Sequence, residues 1–358
     1  MNYRISQILA EKTLASSGTE VIDLDVKDPV SMLLFEYKNT PGSNTMADHV
    51  AACLSKIELI DGADVLFSLS GKQLHALSYY DTKQVPETLI SNAVGVQQLL
   101  CLRYHFGRRL WDTLLALDPK RFRNPQLKVT HNRLTSDASS TAHTLKVLGF
   151  LFDEKAISPQ GFLMSKELKS YTAGAENSYE YTDLPTDHPL RKLLVYAYDD
   201  AYQPWQVANE IRLSEDNDKR VPVDEKMSTL MREVNSQMPF WRELVYAVLT
   251  TTAIDIHVTP NFQSIVSGMG NTQGTVIDVE GHPHHSPMLI GANASDNCSL
   301  QIHGYQPHAV IPLLFGDQDD PSDWYDVTKL GNLKARVKAG SAGTAGAIAL
   351  FTQQYRRY

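Results

Sequence analysis

The sequence predicts an all-β protein in which one sandwich or jelly-roll fold is written twice in tandem, with a few short helices. Three observations carry this expectation. Apolar residues alternate with a period of two through many short segments, turn residues punctuate those segments, and matched strings recur in the same order in both halves of the chain. A chain of 358 residues is too long for one ordinary core and suits two units. Its 42% hydrophobic and 21% charged residues, with 17 Pro and 20 Gly, are the composition of a turn-rich globular protein.

Residues 3–14 predict a short helix, because Ile5, Ile8 and Leu9 are spaced by three and four. After Gly18 the period changes to two: Ile22, Leu24 and Val26 alternate with Asp23 and Asp25, and 30–37 is a nearly continuous apolar run suited to a strand covered on both sides. Segments 56–60 and 64–69 flank the turn residues Asp61 and Gly62. In 94–106, Val94, Val96, Leu100, Leu102, Tyr104 and Phe106 fall on one predicted face. Alternation continues at 127–131, 145–152 and 193–198. Leu244, Tyr246, Val248, Ile254, Ile256 and Val258 share one parity, with Thr250 and Thr252 at a bend. Further strands are expected at 275–279, 287–290, 298–302, 309–315, 333–338 and 345–351. Helical spacing is limited to Leu74 and Leu77 after Ser70, to Leu110, Leu114 and Leu117, and to Met227, Leu230, Met231 and Val234 after a cap at Asp224. Many strands and few helices exclude a doubly wound nucleotide fold.

Shifting the sequence by 154 residues places Ile57 on Ile211, Leu59 on Leu213, Asp64 on Asp218, Phe67 on Val221, Leu69 on Val223 and Leu77 on Met231. Farther on, Asp118 and Asn124 precede Leu127-Lys-Val129 as Asp326 and Asn332 precede Leu333-Lys-Ala-Arg-Val337, and each follows an aromatic-glycine step, Phe106-Gly107 and Phe315-Gly316. The expected organisation is an arm at 1–17, a first unit at 18–175, a linker at 176–189 and a second unit at 190–358.

A net charge of −8 speaks against a protein whose main task is gripping nucleic acid. The basic stretch Arg108, Arg109, Lys120, Arg121 and Arg123 is interrupted by Asp112 and Asp118 and reads as a solvated or inter-subunit face. Cys53, Cys101 and Cys298 are few and far apart, so free buried thiols and a reducing site of synthesis are expected. Neither a signal peptide nor a membrane-spanning run is expected.

Several strings resemble the double jelly-roll major capsid proteins of tailless, icosahedral, membrane-containing bacteriophages, the PRD1/adenovirus-like lineage. They are Asp28-Pro-Val-Ser-Met-Leu-Leu-Phe-Glu36, Lys56-Ile-Glu-Leu-Ile-Asp-Gly-Ala-Asp-Val-Leu-Phe-Ser-Leu-Ser70, Phe106-Gly-Arg108 with Leu117-Asp-Pro119 and Asn124-Pro-Gln-Leu127, and Ile211-Arg-Leu-Ser-Glu-Asp-Asn-Asp-Lys219. The resemblance implies two eight-stranded jelly rolls side by side, three chains forming a pseudo-hexagonal capsomer, and a structural, non-enzymatic role in a virion made in the host cytoplasm. Implied partners are the chain itself, neighbouring capsomers, penton and minor capsid proteins, and an internal membrane contacted through residues 3–14. With only Arg4 and Lys12 as basic residues, that segment would grip anionic lipid weakly.

No catalytic, cofactor-binding or metal-binding residue is assigned. His282-Pro-His284-His285 is the most metal-like string, but its prolines make it a loop. Asp255 and His257 read as a structural pair, and Asp317, Asp319, Asp320 and Asp323 as an acidic turn in which a structural ion is left open. Glu215, Asp216 and Asp218 fit a β-turn balanced by Lys219 and Arg220. Gly268, Gly270 and Gly274 miss the dinucleotide spacing, and nucleophile and phosphate motifs are absent. The alternative is a sandwich glycosidase or carbohydrate-binding protein, with Trp205, Trp241 or Trp324 stacking on sugars.

Overall fold

The computed structural model describes residues 1–248, 254–270, 278–281, 287–290 and 297–358. The first half carries β1 (Tyr3–Thr13), β2 (Ser17–Asp23), β3 (Val30–Thr40), β4 (Leu54–Asp61), β5 (Asp64–Leu69), α1 (Gly71–Thr82), β6 (Thr88–Asn92), β7 (Gln98–His105), β8 (Pro125–Asn132) and β9 (Ala142–Phe152). The second carries β10 (Gly161–Thr172), β11 (Tyr179–Leu184), β12 (Leu190–Tyr198), α2 (Pro204–Val207), β13 (Ala208–Glu215), β14 (Arg220–Lys226), α3 (Met227–Gln237) and β15 (Trp241–Val248). It continues through β16 (Ile254–Asp255), β17 (Pro260–Gly270), β18 (Asp278–Gly281) and β19 (Pro287–Ile290) to β20 (Asn297–Pro307), β21 (Val310–Leu314), β22 (Leu333–Ala339) and β23 (Ala347–Arg357).

Strand order shows why these elements make two rolls. In the first half, β1-β9-β3-β7 faces β2-β8-β4-β5, and in the second, β10-β23-β12-β21 faces β11-β22-β13-β14. Each group of eight is a jelly roll, so the chain is an all-β double jelly roll with few short helices. The inward residues of the paired sheets form the cores: Phe35, Leu102 and Val147 meet Leu59, Phe67 and Val129 in the first, and Val195, Leu313 and Leu350 meet Ile211, Leu213 and Val337 in the second.

The repetition reaches single residues. A ladder irregularity falls between Val30 and Met32 in β3 and between Leu190 and Lys192 in β12. Val30 bridges Leu117 just as Leu190 bridges Tyr325. The aromatic-glycine steps follow β7 and β21, and a Cβ on either glycine would strike a backbone carbonyl, Leu115 O at 2.4 Å from Gly107 and Asp323 O at 2.1 Å from Gly316. Gly316 also has φ +68°. Gly316→Ala is therefore expected to cost about 1–3 kcal/mol in a urea titration. The 154-residue offset holds for Ile57 and Leu59, but the hairpin pairs Phe67 with Leu59 and Val223 with Leu213. Phe67 thus matches Val223 rather than Val221, because the second turn is two residues longer.

Other expectations are corrected. Residues 3–13 are a strand, not a helix: β1 pairs along β9, so the segment is a sheet edge and a helical membrane contact there loses its basis. The segment expected as linker contains β11, which pairs with β22. β10, placed by sequence in the first unit, runs along β23 from Gly161 to Thr172 and touches β5 at one bridge. Residues 107–117 form turns where Leu110, Leu114 and Leu117 suggested a helix. Val94 and Val96 are exposed and precede β7. In β15 the buried parity is Trp241, Glu243, Val245 and Ala247, leaving Leu244 outward. α3 begins after Lys226, with Asp224 still in β14. Among the described residues, no helix is long and apolar enough to cross a membrane.

Candidate functional site

The most chemically specific region is the seam between the rolls, built around α1. Ser70 and Gln73 form a capping box that fixes the helix start, and Lys83 ends it in the left-handed conformation. Every residue from Gly71 to Tyr80 is buried, because the helix lies on its own roll and under the second one. Leu74 and Leu77 join the first core. The other side of the helix carries polar groups into β12, β21 and β23.

Asp81 is the hub of that contact. Arg191 Nη1 donates to it at 2.8 Å, Lys192 Nζ also donates to it, and Gln353 Nε2 reaches its second oxygen at 2.9 Å. Burial alone would raise the Asp81 carboxyl, but the Lys192 and Arg191 charges outweigh it and hold Asp81 below its ordinary value. Burial, with Arg191 alongside, pushes Lys192 down to about 8. The Tyr80 hydroxyl, with one proton to give, lies 2.8 Å from Gln306 Oε1 and 2.7 Å from the Val310 carbonyl, Tyr79 donates to the Pro239 carbonyl, and His75 shares a 2.9 Å contact with His308. Lys72 pairs with Asp48 at 2.7 Å and lies 4.3 Å from the Tyr198 ring centroid.

The surface that α1 covers has a counterpart in the first roll. Lys192 is flanked by Gln353 and Leu314, and Leu194 by Phe351 and Pro312. At the matching registers Met32 is flanked by Phe150 and His105, and Leu34 by Leu148 and Arg103. Lys192, Leu194, Phe351 and Gln353 are fully buried, whereas Leu34, Leu148, Phe150 and Arg103 are half-buried. His105 has neither ring nitrogen hydrogen-bonded. α3, which matches α1 in the chain, buries only Met227, Met231 and Val234. An open cleft of about 1430 Å³ separates Met32, Leu34 and Phe150 from Leu230, Val234 and Met238. One copy of the helix-on-sheet contact is therefore closed within the chain, and both surfaces for a second copy stand open. The continuous apolar run at 30–37 signalled a second covered face at Met32 and Leu34, but nothing in the sequence said what covers it.

The residues singled out by sequence do not converge. His282, His284 and His285 lie outside the described residues, as does Gly274. Asp255 lies in β16, and half-buried His257 meets the Met46 carbonyl at 3.2 Å. In the acidic turn, Asp323 accepts from Asp317 N, Asp317 from Asp319 N, and Asp320 from Ser322 N, so these carboxylates cap their own backbone. Asp216 accepts from Gly331 N and Asn332 N, Asp218 pairs with Arg212 at 3.1 Å, and Glu215 accepts from Tyr325 and Arg220. Arg108 is clamped by Asp112, and Arg121 lies over the Tyr358 ring. Trp241 and Trp324 are buried and cannot stack on a sugar, which leaves only half-exposed Trp205 of the three proposed.

No protein-family model and no curated protein matches this sequence. Solved structures do match in fold. The major capsid protein of Sulfolobus turreted icosahedral virus is similar at a TM-score of 0.63 and 10% identity, over 99% of this chain and 96% of that one. The PBCV-1 virus capsid protein is similar at 0.57 and 11%, over 99% and 94%. The major capsid protein of bacteriophage PM2 is similar at 0.54 and 8%, over 99% and 98%. At such identities the likeness is one of fold, and it extends over essentially the whole of each chain.

Proposed function

We propose that the chain is a structural major capsid protein that assembles head to tail into trimers, each offering six jelly rolls in a pseudo-hexagonal outline, and that these tile an icosahedral viral shell. One observation carries the reading: the contact closed by α1 inside the chain is only partly made at its equivalent, where α3 buries just three of its residues and Leu34, Leu148 and Phe150 on the outward face of β9-β3-β7 are half-buried beside an open cleft. Seating α3 of one chain on that face of the next repeats the internal seam between chains, and a heterologous contact of this kind closes into a ring when its rotation allows. The buried charges of the inner seam do not recur, since Met32 and Phe150 stand where Lys192 and Gln353 do. A contact without that buried ion cluster suits chains that must first exist apart. The two building units then run over 3–152 and 161–357. Neighbouring capsomers and penton or minor capsid proteins are the partners this role implies, and the virion is its location. Catalysis has no part in it.

Native mass tests the reading. Three chains of 40.0 kDa give about 120 kDa. Leu34→Glu, on the open face and outside the roll's own core, is expected to cost about 2–4 kcal/mol at the centre of the contact and to leave a folded single chain. A wild-type protein that stays monomeric at micromolar concentration refutes the proposal.

A further inference from the structure

We propose that the seam between the rolls is an acid-operated latch, in which protonation of His49, His75 and His308 loosens α1 from the second roll and lets the helix open. The inference concerns the single chain and stands whether or not the chain forms trimers.

The three imidazoles come from separate elements and meet in the buried seam. His75 lies on α1, His49 caps the turn Val50–Cys53 in the first roll, and His308 sits on the turn between β20 and β21 in the second. Ring centroids are 4.6 Å apart for His49 and His308, 5.1 Å for His75 and His308, and 6.1 Å for His49 and His75. Their hydrogen bonds leave little room for added protons. Ala51 N donates to His49 Nδ1, so the His49 proton is on Nε2, facing Thr259 Oγ1 at 3.0 Å. A further proton on Nδ1 would set N–H against N–H and break the cap. That same geometry removes His49 as a metal ligand. Between His75 Nδ1 and His308 Nε2, 2.9 Å apart, one proton fits and two do not, so a single added proton can rest on His75 Nε2, 3.0 Å from Thr88 Oγ1, but both rings cannot be charged with the contact intact.

The turn that presents His308 is already strained. Gln306, His308 and Ala309 all have φ between +52° and +57°, a region that non-glycine residues avoid. It is held across the seam by Tyr80, whose hydroxyl lies 2.8 Å from Gln306 Oε1, and within the second half by Gln306, which donates to Asn235 Oδ1 at 2.9 Å. Once the seam loosens, relaxation of this turn favours the open form.

The surrounding charges set the sign. Lys72 on α1, paired with Asp48, and His257 add positive charge near His49, while Asp48 and Asp200 partly offset the charge of His257. Burial pushes His75 down to about 3, and burial with His75, Lys72 and His257 nearby holds His49 well below its ordinary value. Released imidazoles titrate near 6.5, so the closed seam binds fewer protons and weakens as pH falls below about 6.5. Glu243 opposes this at first. Its carboxyl accepts from Trp241 Nε1 and Thr259 N, and burial raises it to about 7, so its protonation favours the closed form down to its unfolded value of 4.5. One carboxyl only partly offsets the imidazoles, so net weakening begins below about pH 6.5 and is steepest between about pH 4.5 and 3, where Glu243 no longer opposes it.

Hydrogen exchange resolved by peptide and corrected for the intrinsic pH dependence tests this on the full chain. Amides of α1 are expected to lose protection at least tenfold from pH 4.5 to 3.5 while β3 and β7 keep theirs. His75→Gln and, separately, His308→Asn are expected to lower the onset by about one pH unit, whereas Glu243→Gln, neutral at every pH, is expected to favour the closed form above pH 4.5 and to leave the opening below that pH where it is. Simultaneous loss in α1 and β3, or an onset unmoved in both histidine variants, overturns the latch.

Discussion

Leu102→Asp is expected to yield no folded protein. Leu102 is fully buried in the first core and lies opposite Phe35 of β3 in the ladder. The substitution removes a packed side chain, which costs about 2–5 kcal/mol. It also places a carboxylate in an apolar core, at a cost of several kcal/mol more unless the group takes up a proton. Together these rival the roughly 5–15 kcal/mol that holds a domain folded. Val94→Asp is the informative control. The sequence put Val94 and Leu102 on one strand face, yet Val94 is 59% exposed and precedes the strand. It is expected to change stability by no more than about 0.5 kcal/mol. Circular dichroism melting of both variants decides the matter, and a cooperative transition for Leu102→Asp near that of wild type contradicts the assigned core.

The contrast between these two positions marks what the sequence can reveal. Period-two alternation survives wherever one face meets a core and the other meets water, as in β8 and β22, and there the strands were legible. It misleads at sheet edges. β1 has a partner on one side only, and its apolar residues Ile5, Ile8 and Leu9 follow an irregular ladder that mimics helical spacing. It also misleads where a second surface covers the outer face. Leu34 and Leu194 occupy matching outward positions, and nothing local says that one is covered within the chain and the other is open. The repeat was visible because Ile57 and Ile211 or Leu59 and Leu213 must fill the same inward sites, but a longer turn then slipped the register by two. The seam was not visible at all. Asp81 is 110 residues from Arg191 in the chain, and His75 and His308 are 233 residues apart.

Asp81→Ala is expected to be the most damaging change in that seam, at about 3–5 kcal/mol. The wild-type carboxylate neutralises part of two buried cations, each with side-chain exposure of 2% or less. Removing it leaves Arg191 and Lys192 together without an anion, and their mutual repulsion adds to the desolvation already present. The remedy is specific: Asp81→Ala combined with Lys192→Met is expected to recover a large part of the loss, because Met places apolar volume where an uncompensated ammonium stood and matches Met32 in the first roll. A double-mutant cycle by urea denaturation measures this coupling. The pH dependence has a definite sense as well. Because the Asp81 carboxyl is held below its unfolded value of 3.8, its contribution is complete above that value and is lost as pH falls below it. The Asp81→Ala variant should therefore show a shallower fall in stability below about pH 3.8 than wild type. Equal acid slopes, or additive effects of the two substitutions, mean that the ion cluster does not hold the rolls together and that apolar packing of α1 suffices.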